Sequence, residues 1–280
     1  KKDKKNYIIS GDIFNADKLI TDLLKSKKDD KKKLFSKDFT LDINIKKVLL
    51  DQNNPIINLK GKISFIDSEI KELNLESKFL NNQSIKFTIK ESNKEKITTL
   101  FSNEAKPLVD RYKFIKGFSE GKLDFYSVKK NNESKSTLKI YNFKLKELPA
   151  LTKILTLASL QGIADLLSGE GIRFNELEMN FSNEKELMTI EEIYAIGPAI
   201  SVLVEGYVEK DKLISIRGTL VPATTINKTI SSIPLIGDIL VGKKVGEGVF
   251  GVSFKIKGPP GNLETTVNPI KTLTPRFITR

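Results

Sequence analysis

Between Phe39 and Lys90 apolar and polar side chains alternate with a period of two, and this pattern constrains the fold more than any other property of the chain. Phe39, Leu41, Ile43 and Ile45 form one set, and Ile57, Leu59, Ile63 and Phe65 a second. Leu73 and Leu75 form a third, and Ile85, Phe87 and Ile89 a fourth. Successive side chains of an extended strand point to opposite faces, so each set lines one side of a sheet and leaves the other side polar. Turn formers such as Asp51-Gln-Asn-Asn54 and Asn81-Asn82 separate the sets. The spacing therefore predicts neighbouring antiparallel strands joined by short turns, a meander.

The same period returns later. Strands are predicted at 121–128 and 138–145, at Leu177, Met179 and Phe181, and near 187–196, 201–209 and 213–220. Phe250, Val252, Phe254 and Ile256 then share one parity, with Gly251, Ser253, Lys255 and Lys257 on the other. Helical stretches are few. Asn15 can cap a helix within 11–24 whose stripe is Leu19, Ile20, Leu23 and Leu24, a lid for a sheet. Pro107 fits the first turn of a second helix, with Leu108, Tyr112 and Ile115 on one side. One helix is predicted over 148–167 from Leu151, Ile154, Leu155, Ala158, Gly162 and Leu166, ended by Gly169 and Gly171. An insert at 226–241 carries Ile230 and Ile233 after Asn227, then Pro234 and a second apolar turn. Residues 25–37 are charged with almost nothing to bury and read as a solvated loop. Strands do not alternate with helices as a parallel sheet requires, so the fold class is mainly β, an antiparallel sheet with a few short amphipathic helices.

The inventory removes several chemistries. The 280 residues include no Cys, His or Trp, which excludes thiol nucleophiles, Ser-His-Asp triads, Cys or His zinc sites and imidazole bases. The net charge of +12 raises the question of a polyanionic partner. Arg occurs only at 111, 173, 217, 276 and 280, however, and Lys is spread through the whole chain. With neither an aromatic RNA-binding motif nor a basic recognition helix, nucleic acid is not expected as a partner, while an anionic membrane surface stays open. No apolar run reaches the roughly 20 residues of a membrane span, and no secretory core follows the opening Lys-Lys-Asp-Lys-Lys.

Gly246-Glu-Gly-Val-Phe-Gly251 has the glycine spacing of a dinucleotide site, but an alternating strand follows it where a helix should open toward the pyrophosphate. The carboxylate pairs Glu191-Glu192, Glu184/Glu186 and Asp29-Asp30 read as surface charge, since adjacent strand residues face opposite ways. No enzyme, cofactor or metal is expected.

Two stretches carry a resemblance. One is Leu220-Val-Pro-Ala, Ile226-Asn, Ile233-Pro-Leu-Ile-Gly-Asp-Ile-Leu, Gly246-Glu-Gly-Val-Phe, Gly258-Pro and Val267-Asn-Pro-Ile. The other is Leu157-Ala-Ser-Leu-Gln-Gly-Ile-Ala-Asp-Leu-Leu-Ser-Gly-Glu-Gly-Ile-Arg-Phe174, with Tyr194-Ala-Ile-Gly-Pro198. Together they resemble the C-terminal region of the AsmA-like superfamily, the YhdP-type envelope proteins, most densely over 148–277. The close Pro275-Arg-Phe-Ile-Thr-Arg280 departs from that family's usual Pro-Gly-Phe-Leu-Arg-like ending. The resemblance implies an elongated, twisted sheet curved into an open hydrophobic groove that moves phospholipid between inner and outer membranes. It implies a periplasmic location, contact with a membrane surface, and an inner-membrane anchor in a longer chain outside these residues. Residues 1–146 would be helix-plus-meander repeats of the groove and 147–280 the C-terminal module.

The expected floor of the groove is Leu41, Ile43, Ile57, Leu59, Ile63, Phe65, Leu73, Leu75, Ile85 and Phe87, continued by Leu177, Met179, Ile214, Ile216, Phe250, Val252, Phe254 and Ile256. Ile230, Ile233, Leu235, Ile236, Ile239 and Leu240 of the insert would plug the groove or touch a membrane. Periodicity alone favours these faces closing on one another as a core, and it is the resemblance that turns the reading toward an open groove. The rival to lipid transfer is a structural or assembly module for outer-membrane protein or for bridging the envelope.

Overall fold

The computed structural model describes residues 5–25, 38–67, 69–110, 117–146, 148–222 and 251–270. The first elements are β1 (Lys5–Asn15), α1 (Asp17–Lys25), β2 (Phe39–Leu49), β3 (Pro55–Ile66), β4 (Glu69–Phe79), β5 (Ser84–Ser92) and β6 (Glu95–Ser102). There follow α2 (Lys106–Val109), β7 (Ser119–Lys130), β8 (Glu133–Leu145), α3 (Pro149–Leu157) and α4 (Gln161–Ser168). The remainder is β9 (Ile172–Glu184), β10 (Leu187–Ile196), β11 (Ile200–Glu209), β12 (Leu213–Pro222), β13 (Gly251–Gly258) and β14 (Glu264–Ile270). Among the described residues fourteen strands form one open sheet whose spatial order is the sequence order, as a meander demands. The protein is mainly β with short helices, in agreement with the alternation.

The N-terminal strand is an exception to antiparallel pairing. β1 runs parallel to β2, with Tyr7 beside Leu41 and Ile9 beside Ile43. A parallel pair needs a crossover connection rather than a tight turn, and helix α1 lies in the stretch that connects the two strands. The helix expected within 11–24 behind an Asn15 cap starts at Asp17. Residues 5–15 are extended, in keeping with Tyr7, Ile8, Ile9, Ile13 and Phe14. Asn15 ends the strand, and its Oδ1 accepts from the Asp17 amide at 3.0 Å.

The helix expected over 148–167 is two helices. Ser159 sits in the left-handed region at φ 60°, and its amide donates to the Thr156 carbonyl while Leu160 donates to Leu155. The break re-phases the apolar stripe. Leu151, Ile154, Leu155 and Ala158 are buried as expected, but beyond the break Ala164 and Leu167 are buried while Gly162 and Leu166 face out.

By contacts the chain divides into two compact units, Lys1–Leu108 with Lys122–Ser136, and Val109–Gly121 with Thr137–Arg280. In the first, Ala16, Ile45, Val48, Ile56 and Phe79 form a buried cluster against which Ile20 of α1 packs. In the second, Phe118, Phe143 and Phe174 stack at centroid spacings of 5.4 and 5.3 Å, and Leu155, Leu167, Ile172 and Ile200 are fully buried nearby in sequence or sheet. Such stacked rings contribute beyond their buried area, by about 0.5–1.5 kcal/mol per pair.

Candidate functional site: the apolar faces of the sheet

Cross-strand partners share a face, so the register assigns each expected floor residue to a side. In the first unit three rows run across the strands. Leu41, Ile63, Leu73, Ile89, Thr98 and Ser127 make one. Ile43, Gly61, Leu75, Phe87, Leu100 and Phe125 make the next. Ile45 pairs Leu59, and Ser77 pairs Ile85, in the third. Leu73 is buried, whereas Leu41, Ile43, Leu59, Ile63, Phe65, Leu75, Ile85 and Phe87 are half-buried. Their alternates Asp42, Asn44, Lys60, Lys62, Asn74, Glu76 and Lys86 are exposed, so polarity is sorted by face over these positions, whereas β6 and β7 add exposed Phe101 and Tyr126 to the polar side.

Ile57 departs from this set. The register of β3 on β4 shifts between Ile57 and Lys60, with Asn58 at φ 55°, which marks a β-bulge. Past the bulge the parity inverts. Ile57 stands between Lys47 and Lys78, and Ile56 takes the inward place between Val48 and Phe79. Strict alternation carried across Asn58 puts the wrong isoleucine on the floor, and the Asn is the residue that tolerates the left-handed conformation the bulge needs.

The same face ends in charge. Lys71 lies two residues beyond Leu73 and donates to both carboxylate oxygens of Glu91 at 2.8 and 3.0 Å. Glu91 pairs with Lys96, which stands opposite Lys129. Hydrogen bonding to Glu91 raises the Lys71 pKa against the opposing effect of burial. The register of β3 on β4 shifts again between Ser64 and Phe65, so Ile70 stands opposite Phe65, and the bond to Glu91 rather than parity with Leu73 brings Lys71 to this row.

The second unit continues the pattern with other exposures. Leu177, Ala195, Val202, Leu220 and Val252 form one row, and Met179, Ile193, Val204, Gly218 and Phe254 the next. Ile216 lies between Gly206 and Ile256, and Ile214 beside Val208. Leu177, Met179, Ile214 and Ile216 are half-buried. Val252, Phe254 and Ile256 are buried, so here three expected floor residues are interior. A Cβ on Gly218 would lie 2.6 Å from the Phe254 ring, so the missing side chain is what seats that ring on the sheet. Phe250, and Ile230, Ile233, Leu235, Ile236, Ile239 and Leu240 of the insert, lie outside the described residues, as does most of the glycine motif at 246–251.

On the opposite side of β8–β10 a polar network is satisfied internally. Lys139 Nζ is 2.6 Å from Glu178 Oε2, the Tyr194 hydroxyl donates to the same oxygen at 3.0 Å, and Asn180 donates to Oε1 at 3.0 Å. Thr137 donates to Asn180 at 2.8 Å. Burial pushes the Glu178 carboxyl up, but these donors together hold it below the usual range. Burial and the bond to Glu178 push the Tyr194 phenol up. With donors and acceptors matched, the network fixes strand register and offers no unmatched group for chemistry.

Among the described residues no cluster of acidic side chains is arranged to hold a metal, and no helix is long and apolar enough to cross a membrane. No family model, curated protein or solved structure matches the chain.

Proposed function

We propose that the apolar face of the first unit carries phospholipid acyl chains, as part of an AsmA-like envelope protein that moves phospholipid between inner and outer membranes. The observation that carries this reading is the pairing of half-buried Ile43, Leu75, Phe87, Leu100 and Phe125 on one face with exposed charge on the other. A chain lying on that row leaves water for hydrocarbon at roughly 25 cal/mol per Å² of apolar surface, which amounts to several kcal/mol. No bond is made or broken in such a transfer. The resemblance read in the sequence is what supports a periplasmic location and an inner-membrane anchor outside these residues.

The test is a photoreactive amino acid at Phe87 and, as control, at Thr88 on the other face. Lipid adducts at Phe87 and not at Thr88, with phospholipid seen by native mass spectrometry of the purified protein, are expected. A lipid-free protein with no adduct at either site overturns the reading.

One observation favours the assembly alternative. β1 ends the strand order, and its Ile8 and Ile13 are 78% and 68% exposed. An edge strand that no other described strand pairs on its outer side accepts a further strand by backbone pairing.

A further inference from the structure

Resting on the acyl-chain reading, we infer that the charged margin of the first unit's apolar face, Lys71, Glu91, Lys96 and Lys129, is a headgroup site for a zwitterionic phospholipid. The row shares its face with the apolar rows and adjoins them. Glu91 is two residues from Ile89 and Lys96 two from Thr98 on strands whose pairing has no shift, and Lys71 bonds Glu91. Beyond the row, β5 presents half-buried Ile89, Phe87 and Ile85 on that face. From Glu91 to Ile85 is about 20 Å at the rise of a strand. One acyl chain spans half of the roughly 30 Å hydrocarbon core, about 15 Å. The face therefore offers a phospholipid-sized sequence of charge followed by hydrocarbon.

The charges themselves point to the headgroup class. Lys71, Glu91 and Lys96 are only 27%, 25% and 28% exposed, far more covered than ordinary surface charges. Lys96 and Lys129 face each other directly across β6 and β7, which sets two ammonium groups side by side where one phosphate can meet both. Lys96 also lies 4.0 Å from Glu69, which bonds Lys71 at 3.4 Å. Carboxylates of Glu69 and Glu91 beside the two lysines suit an ammonium next to that phosphate. An all-cationic row would favour a purely anionic headgroup, and this row is mixed.

The test compares, by native mass spectrometry with lipids of identical acyl chains at equal concentration, phosphatidylethanolamine, phosphatidylglycerol and diacylglycerol. The protein is expected to prefer phosphatidylethanolamine to diacylglycerol by about ten-fold, equivalent to about 1.4 kcal/mol, and to bind phosphatidylglycerol no better than phosphatidylethanolamine. The double variant Lys96→Gln, Lys129→Gln should lose that preference to within about two-fold while binding diacylglycerol as before, with unchanged thermal unfolding. Equal binding of phosphatidylethanolamine and diacylglycerol, a preference that survives the double variant, or a ten-fold preference for phosphatidylglycerol overturns the headgroup site and leaves the acyl-chain reading standing. Failure to bind any of the three lipids overturns both.

Discussion

The two units write the same alternation and use it differently. In the first, the row through Leu75 and Phe87 is half-buried and runs out into Lys71 and Glu91. In the second, Leu220 and Val252 are fully buried and Phe254 and Ile256 nearly so. β12 even ends in four successive buried residues, Thr219, Leu220, Val221 and Pro222, so both of its faces are covered there. A period-two pattern therefore specifies which side chains share a face and says nothing of whether that face meets another layer. Half-buried side chains keep apolar surface that a ligand can meet, which is why the proposal rests on the first unit.

The largest expected effect breaks the comparison at one stroke. Phe254→Asp buries an unpaired carboxylate and should destabilise by more than about 5 kcal/mol, enough to unfold a marginal domain. Phe87→Asp, on the half-buried face, should cost less than about 2 kcal/mol because its carboxylate can reach water. Denaturant unfolding of both variants measures the difference, and equal losses would mean that the two faces are equally sealed.

A smaller effect separates two glycines. A Cβ on Gly218 meets the Leu203 carbonyl oxygen at 2.3 Å and the Phe254 ring at 2.6 Å, whereas one on Gly11 meets nothing within 4 Å. Gly218→Ala should cost about 1–3 kcal/mol through overpacking. Gly11→Ala in the edge strand should be neutral or stabilising by up to about 1 kcal/mol, because it restricts the unfolded chain. Thermal or chemical unfolding reads both, and a tolerated Gly218→Ala would show that the Phe254 ring is loosely held.

The smallest effect concerns charge. Most ion pairs of the first unit, such as Lys86 with Glu76 at 2.5 Å, are exposed and contribute little. The Glu178 network of the second unit is more enclosed. Its carboxyl is held below the unfolded value of about 4.3, so its stabilisation is complete above that pH and is lost as pH falls through the lower folded value. Lys139, raised first by its bond to Glu178, contributes in the opposite sense: its stabilisation is present below about pH 10.4 and lost as pH rises beyond its folded value. The denaturant midpoint of the wild type should therefore fall more steeply below about pH 4 than that of Glu178→Gln. Parallel curves would remove the network from the stability of β8–β10.

Much of the fold was legible because a strand's two faces are written residue by residue. The sets Leu41/Ile43, Leu73/Leu75 and Ile85/Phe87 appear in the sheet in the parity that the sequence assigns. Reading failed where the backbone steps out of that period. Asn58 inverts the parity of β3, so that Ile56 replaces Ile57 on the apolar face, and Ser159 splits one expected helix and turns Leu166 outward. Both are single residues in the left-handed region, and neither is the glycine that would have announced the change.

The sequence by itself determined that the chain is mainly β, which residues share a face, and that chemistry dependent on Cys or His is absent. Tertiary structure decided what periodicity does not encode: the parallel placement of β1, the burial of Phe254 against the exposure left at Phe87, and the meeting of Lys71, Glu91, Lys96 and Lys129 on one margin. The reason is one of range. Alternation is fixed by local backbone geometry, whereas coverage and cross-strand charge depend on residues 20 or more positions apart, such as Lys71 and Glu91, that come together only when the sheet is assembled.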